Sequence, residues 1–341
     1  MPHIQWERFP LLLSNFNARK WLTIQANLGR AGNTLQAYAY SLEQFLLFCY
    51  SADIVPDFAS REDVSLYVKA LSSQPNTKTA GFLSNATLHL RLTAVRLYFN
   101  YLIEEGIRNS NPAGRGAAHI ARRQNNDRSQ RGLIPRLRRL PWIPSNEEWT
   151  AILQAARVEP LRNRLMLALA YDAGLRREEL CLLETGDIDP AARLIRIRAE
   201  TTKSRFGRTV PYSIVTSQIY SAYLSERRKL STKRGALFLS QSKRNRAEPI
   251  SIWTWSKVVQ AIAERAQIPR LTTHTMRHLC LTDLARAGWD IHEIAIFAGH
   301  RNTNTTLQYI HLSGRELAQK MQNSISSLHN WRIQQTAEIL G

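Results

Sequence analysis

Between Arg115 and Arg139 the chain carries eight Arg and one Asp, no Lys and no Glu, with Gly and Pro scattered among them. A run of that composition has too little apolar surface to join a core. It therefore divides the 341 residues into two stretches that must fold on either side of it, each long enough for an ordinary hydrophobic interior. Residues 113–143 are expected to form an Arg-rich interdomain linker whose charge suits the path of a phosphate backbone, with Arg122, Arg123, Arg138 and Arg139 as candidate contacts. A solvated tether that touches nothing is the alternative.

Upstream, residues 15–112 read as a small helical domain. Leu35, Tyr38, Leu42, Phe45 and Cys49 recur at intervals of three or four behind Asn33 or Thr34 as N-cap, which gives one apolar helix face. Asp63 is placed to cap a shorter helix through Val64, Tyr67, Val68 and Leu71. A third helix carries Leu88, Leu92, Val95, Phe99 and Leu102 and stops at Gly106, with Pro112 beyond. Its other face displays His89, Arg91 and Arg96, and reads equally as a DNA-facing surface and as a solvated one.

Downstream, residues 144–314 read as a second domain, mainly α with a small β-sheet. Ser145 can cap a helix with Glu148 at the reciprocal position. An apolar helix from Arg162 to Tyr171 breaks at Gly174, and a short helix follows. Leu194–Ala199 and Arg208–Tyr212 then alternate as strands do, with Lys203 to Gly207 as the turn between them. Asp187 and Asp189 read as loop and turn positions. Residues 315–341 hold Leu317, Met321, Ile325, Leu328, Trp331 and Ile339 at roughly helical intervals. That pattern suits a docking helix, or one packed on its own domain.

Charge narrows the function classes. Lys and Arg number 46 against 27 Asp and Glu, a net charge of +19, and only nine of the cations are Lys. Such an excess favours a polyanionic partner, because neutralising phosphates releases condensed counterions. Arginine forks also match phosphate oxygens and stay charged at neutral pH. A generally basic soluble protein is the blander reading. The longest apolar stretch, Leu165 to Tyr171, is far short of the roughly 20 residues that span a bilayer. The N-terminus lacks the order of a secretory signal, so a cytoplasmic, nucleoid-associated protein is expected. Cys49, Cys181 and Cys280 lie far apart with no CxxC pair, which points to buried thiols rather than zinc ligands or disulfides.

Five dispersed motifs carry the chemistry: Gly174-Leu175-Arg176-Arg177-Glu178-Glu179-Leu180, Lys203, His274-Thr275-Met276-Arg277-His278, Gly299-His300, and Thr305-Thr306-Leu307-Gln308-Tyr309. In that order, with His300 23 residues after Arg277 and Tyr309 nine after His300, the set resembles the tyrosine recombinase (phage integrase) family. Thr87 to Pro112 looks like the last helix of that family's N-terminal core-binding domain. Leu140 to Ser145 looks like the approach to its catalytic domain. The likeness spans residues 30–312, and Thr275 and Ala298 depart from the common residues at positions where no chemistry is expected.

The resemblance implies a SAM-like helical domain plus a catalytic domain, together a C-shaped clamp on double-stranded DNA. It implies that Tyr309 is the nucleophile, forming a 3'-phosphotyrosyl link and releasing a 5'-hydroxyl. Arg176 and Arg277 would clamp the non-bridging oxygens, Lys203 would protonate the leaving oxygen, His274 would take the Tyr309 proton, and His300 would hydrogen-bond the phosphate. These residue types suit the task. A phenol with a pKa near 10 needs a base and positive surroundings to attack at neutral pH, and guanidinium forks fit phosphate oxygens. The covalent intermediate conserves bond energy, so no metal, ATP or other cofactor is implied. The partners implied are DNA, a homotetramer at synapsis, and possible helpers such as a directionality factor or a second recombinase.

Local alternatives stand beside these roles. Arg205, two residues from Lys203, competes for the lysine's place and is otherwise a candidate DNA contact. His274 can serve as a helix cap, Arg176 and Glu179 as an ion pair, and Glu179 as the support of an arginine. His278, His292 and His311 read as packing or structural residues. At the level of function, an inactive DNA-binding accessory protein is disfavoured because no catalytic position is missing. A metal-dependent nuclease is disfavoured because the carboxylates are scattered. A type IB topoisomerase shares the chemistry but fits this two-domain length less well. Integration, excision or transposition of a mobile element is the expected role, with dimer resolution by the same chemistry as the alternative.

Overall fold

A computed structural model describes residues 4–73, 82–114, 133–135, 137, 140–202 and 205–309. The chain divides into two compact units, Met1–Arg139 and Leu140–Gly341.

The first unit is helical: α1 (Pro10–Ser14), α2 (Phe16–Asn27), α3 (Gly32–Ser51), α4 (Arg61–Ser73) and α5 (Asn85–Glu104). Its core gathers Trp21, Leu42, Phe45, Leu46, Tyr98, Phe99 and Leu102. Phe45 meets Tyr67 and Phe99 edge-on, at centroid distances of 5.2 and 5.7 Å, the arrangement that ring quadrupoles favour. Glu43 of α3 accepts from the first amides of α1, Leu11 N at 3.0 Å and Leu12 N at 2.8 Å, satisfying donors that a helix start leaves orphaned.

Three local expectations need correcting. α3 starts at Gly32 behind Ala31, without a side-chain cap, rather than at Asn33 or Thr34, because burial of the Leu35–Cys49 face stabilises it without one. In α4 the cap is Ser60: its Oγ lies 3.2 Å from Asp63 N, and Asp63 Oδ2 accepts from Ser60 N at 2.7 Å. Asp63 thus sits inside the first turn as the reciprocal acceptor. Arg91 does not share an outer face with His89 and Arg96. It stands one turn before the buried Val95, so it shares that face. The residue is 5% exposed, with its guanidinium 5.6 Å from the ring of Tyr40.

The second unit contains α6 (Asn146–Ala156), α7 (Leu161–Asp172), α8 (Arg177–Cys181), β1 (Ile188–Asp189), β2 (Leu194–Ile197), β3 (Arg208–Pro211), α9 (Ile214–Leu230), α10 (Ile252–Arg265), α11 (Thr275–Arg286) and α12 (Ile291–Ala298). Ser145 and Glu148 form the expected capping box at α6. The sheet is antiparallel in the order β1-β2-β3. Its first strand includes Asp189, which the sequence reads as a turn, since two residues are too few to display alternation. Ile195 and Val210 are cross-strand partners and join Leu165, Leu169, Tyr223, Phe238, Trp255, Leu281 and Ile294 in the core. The three cysteines are buried and free. Among the described residues no helix is long and apolar enough to cross a membrane.

Two left-handed glycines set the geometry of the site. Gly174, at φ 55°, turns the chain from α7 into α8 so that Leu175 is buried and Arg176 stands at the helix start. Gly299, at φ 64°, ends α12, and the amide of His300 closes back on Ala295 O at 2.9 Å. A side chain at either position would be forced into a conformation that only glycine adopts readily.

Candidate active site

The end of α12 organises the site. A helix leaves its last carbonyls without intrahelical donors, and they form the negative pole of its dipole. Here three successive carbonyls are each taken by an arginine from a different element. Arg208 Nε of β3 donates to Phe297 O at 2.7 Å, Arg277 Nη2 of α11 to Ala298 O at 2.6 Å, and Arg176 Nη2 to Gly299 O at 3.1 Å. Arg277 also donates to Gly174 O at 2.5 Å. Glu179 of α8 lies behind the group. Its Oε1 accepts from Arg176 Nη1 at 2.6 Å and Arg208 Nη1 at 3.2 Å, and its Oε2 from Arg176 N at 3.0 Å and Arg208 Nη2 at 2.8 Å.

Tyr309, in a one-turn 3-10 helix, packs beside this cluster and is 2% exposed. Its hydroxyl is 3.1 Å from His278 Nδ1, and its ring lies parallel to that of His300 with centroids 6.0 Å apart. His300 Nε2 is 2.9 Å from Arg277 Nη2, and its Nδ1 is 3.0 Å from Thr306 Oγ1. Because a guanidinium only donates, Nε2 is the acceptor and the imidazole proton belongs on Nδ1, directed at Thr306.

Charge governs the titrations. Three guanidiniums face one carboxylate, so the cluster is electropositive. Desolvation would raise the pKa of Glu179, but the hydrogen bonds and charge of Arg208, then those of Arg176, hold it at about 2. Burial, then the charges of Arg277, Arg176 and Arg208, push His300 down to about 3. His278 is lowered to about 4, by burial first and then by His274 and Arg277. His274 is also lowered, by desolvation and then by Arg277, Arg177 and Arg176, although part of its ring reaches solvent. Burial lowers Arg277 to about 10, with Arg176 adding to the effect. Burial raises the phenol of Tyr309, opposed first by the charge of Arg277 and last by that of Arg176. A site that holds its imidazoles neutral and its phenol beside uncompensated positive charge is built to receive an anion.

Of the expected catalytic set, the structure brings Arg176, Arg277, His300 and Tyr309 together. His274 is the N-terminal cap residue of α11, without a side-chain cap hydrogen bond, and its ring centroid is 6.3 Å from that of His278. The imidazole within hydrogen-bond distance of the Tyr309 hydroxyl belongs to His278. The sequence reads His278 as a packing or structural residue, although one helical turn puts positions 274 and 278 on one face, the signal that could have found it. Arg208 is the other residue that sequence reasoning passed over. It is in phase with the buried Val210 on β3, and a charge at an apolar position of an alternating strand must have partners. Lys203 lies outside the described residues.

Among the candidate DNA contacts, Arg205 is exposed at φ 51°. His89 is half-buried with Nε2 3.3 Å from Pro135 O. Arg96 is half-buried, its carbonyl accepting from Asn111 Nδ2 at 2.9 Å. Arg122, Arg123, Arg138 and Arg139 are outside the described residues, as is the segment 315–341.

Comparison with known proteins gives consistent results. The sequence model of the phage integrase family matches residues 144–316, and that of the phage integrase N-terminal SAM-like domain matches residues 21–106. The chain is similar to a protein named "Tyrosine recombinase" from Thermosipho africanus, 29% identical over 287 residues that cover 83% of this chain and 90% of that protein. In fold it is similar to the XerH site-specific recombinase bound to its difH substrate, with a TM-score of 0.61 at 21% identity over 89% of this chain and 82% of that one. A lambda integrase dimer bound to a COC' core site is likewise similar, with a TM-score of 0.63 at 19% identity over 88% of this chain and 96% of that one.

Proposed function

The chain belongs to the phage integrase family of tyrosine recombinases, and from that premise we propose that it is a site-specific DNA recombinase with Tyr309 as nucleophile. The observation that carries the reading is one contiguous cluster: Arg176 and Arg277 hold the last carbonyls of α12, His300 bonds Arg277, and the buried phenol meets the His300 ring and His278. The Tyr309 oxygen forms a bond to the scissile phosphorus as the bond from phosphorus to the 5'-oxygen breaks, leaving a 3'-phosphotyrosyl link and a free 5'-hydroxyl. Arg176 and Arg277 oppose the charge that gathers on the non-bridging oxygens at the phosphorane. The phenol proton passes to the histidine pair of α11, where His278 Nδ1 stands 3.1 Å away and His274 lies one turn nearer solvent. Lys203 protonates the leaving oxygen. The charge of the incoming phosphate offsets the arginines that hold His300 neutral, so that His300 can donate to a phosphate oxygen.

Attack of a 5'-hydroxyl from the partner strand on the phosphotyrosine reverses these steps and conserves the bond energy, without metal or ATP. Exchange between two duplexes calls for four protomers, two on each site. The net charge of +19 supports DNA as the substrate, and the likeness to recombinases solved on DNA agrees with it. This strand exchange serves integration, excision or transposition of a mobile element, and equally the resolution of chromosome or plasmid dimers. Incubation with a nicked candidate site, followed by a denaturing gel, tests the reaction. The expected result is a protein–DNA adduct that disappears with Tyr309→Phe, and an adduct that persists in the variant refutes the nucleophile. Alanine at either His274 or His278 should slow adduct formation about 10²-fold. An unchanged rate for His278→Ala would assign the proton to His274 alone.

A further inference from the structure

Arg208 is the one guanidinium of the cluster to which the proposed chemistry gives no step, yet it is built into the site as firmly as the other two. It is 8% exposed. Its Nε is held by Phe297 O, and its two terminal nitrogens fork onto the two oxygens of Glu179 at 3.2 and 2.8 Å. The same two oxygens accept from Arg176, so the carboxylate's roughly four acceptor positions are divided evenly between the two arginines. Arg208 also packs flat under the turn that carries His300, since a Cβ added at Gly299 would stand 2.9 Å from Arg208 Nη1.

We propose that Arg208 is a positioning residue for strand cleavage, acting through Glu179 to hold the Arg176 fork open toward the scissile phosphate. Glu179 is buried and ionised, and it draws in whatever cations it can reach. With Arg208 occupying half of its acceptor capacity, Arg176 is tied to Glu179 by its backbone amide and a single Nη1 bond and to α12 by Nη2. Those side-chain bonds use two of its five N–H donors. Without Arg208 the carboxylate keeps one arginine as its partner, and the Arg176 fork folds back onto it as a bidentate pair. The clamp then loses donors aimed at the phosphate, although Arg176 itself is intact. Arg208 also begins β3, five residues after Lys203 in the sequence.

This inference rests on the reading of Arg176 as a phosphate clamp, and the experiment separates the two. Wild type, Arg208→Met, Arg208→Lys and Arg176→Ala are assayed for adduct formation on a nicked site with either the natural phosphate or a methylphosphonate at the scissile position. The neutral methylphosphonate needs little charge stabilisation. Relative to wild type, Arg208→Met is expected to lose roughly 10²-fold on the phosphate and no more than about 5-fold on the methylphosphonate. Its affinity for the uncleaved site should stay within about 3-fold, and Arg208→Lys should recover much of the loss. A merely structural role would lower activity on both substrates alike and would leave the ratio unmoved. Equal losses by Arg208→Met on the two substrates, with Arg176→Ala recovering on the methylphosphonate, would overturn the role of Arg208 alone. Failure of Arg176→Ala to recover would overturn the clamp reading and this inference with it.

Discussion

At the scale of the residue, the site stores its charge in ways that pH exposes. Glu179 titrates at about 2 against 4.5 for an unperturbed carboxyl. The unfolded chain therefore takes up its proton first, and the stability from this group is complete above pH 4.5 and lost as pH falls toward 2. The shift corresponds to roughly 3 kcal/mol. His278 and His300, held at about 4 and 3 against 6.5, act in the same direction over a higher window. Between pH 6.5 and 3 the unfolded state binds protons that the native rings refuse, so stability declines there as well. Denaturant unfolding of residues 140–341 should show stability falling steadily from pH 7 to pH 4, with His300→Phe reducing the slope by about one proton. Equal stability at pH 7 and pH 4 would contradict this placement of the rings. The sequence marks Arg176, Arg277, His300 and Tyr309 because their order and spacing resemble the tyrosine recombinase set. It ranks His274 above His278 because spacing says nothing about which of two rings on one helix face meets a phenol from another segment.

The decisive element is the C-terminus of α12. Eight residues from Ile291 to Ala298, opened by an Asp290–Glu293 capping box and closed by Gly299, present Phe297, Ala298 and Gly299 carbonyls to three arginines. Replacing Gly299 by Ala forces a left-handed φ on a residue with a Cβ and pushes that Cβ to 2.9 Å from Arg208. Thermal unfolding should report a loss of about 1–3 kcal/mol, with adduct formation on a nicked site falling more than affinity for the intact one. A variant with wild-type stability and cleavage would show that the turn is not under this constraint. Of this element the sequence marks only Gly299-His300, and that through the family resemblance. Backbone carbonyls carry no letter in a sequence, so the anchor they form is not legible there. Arg208 is half-legible, as a charge in the apolar phase of β3.

For the whole molecule, two cores on either side of the arginine run predict two cooperative units. Residues 1–114 and 140–341, expressed separately, should each unfold in a single transition, and failure of either fragment to do so would show that its core depends on the other. We propose that the basic run serves DNA affinity. Alanine at Arg122, Arg123, Arg138 and Arg139 should flatten the salt dependence of binding by about 0.9 for each phosphate that is no longer neutralised, while cleavage per bound complex stays near wild type. An unchanged slope would make the run a tether that touches no phosphate.

Apolar periodicity, glycine stops and the uneven distribution of charge determined by themselves that this chain forms two mainly helical units, while the candidate catalytic letters stood out by their resemblance to a known family's ordered set. Periodicity, stops and charge are properties of composition and spacing, and they are local. The tertiary structure alone decided that His278 touches Tyr309, that Arg91 turns inward, and that Arg208 shares Glu179 with Arg176. Each of these is set by residues far apart in the chain meeting in space, where packing and the pairing of buried charge override what neighbouring letters suggest.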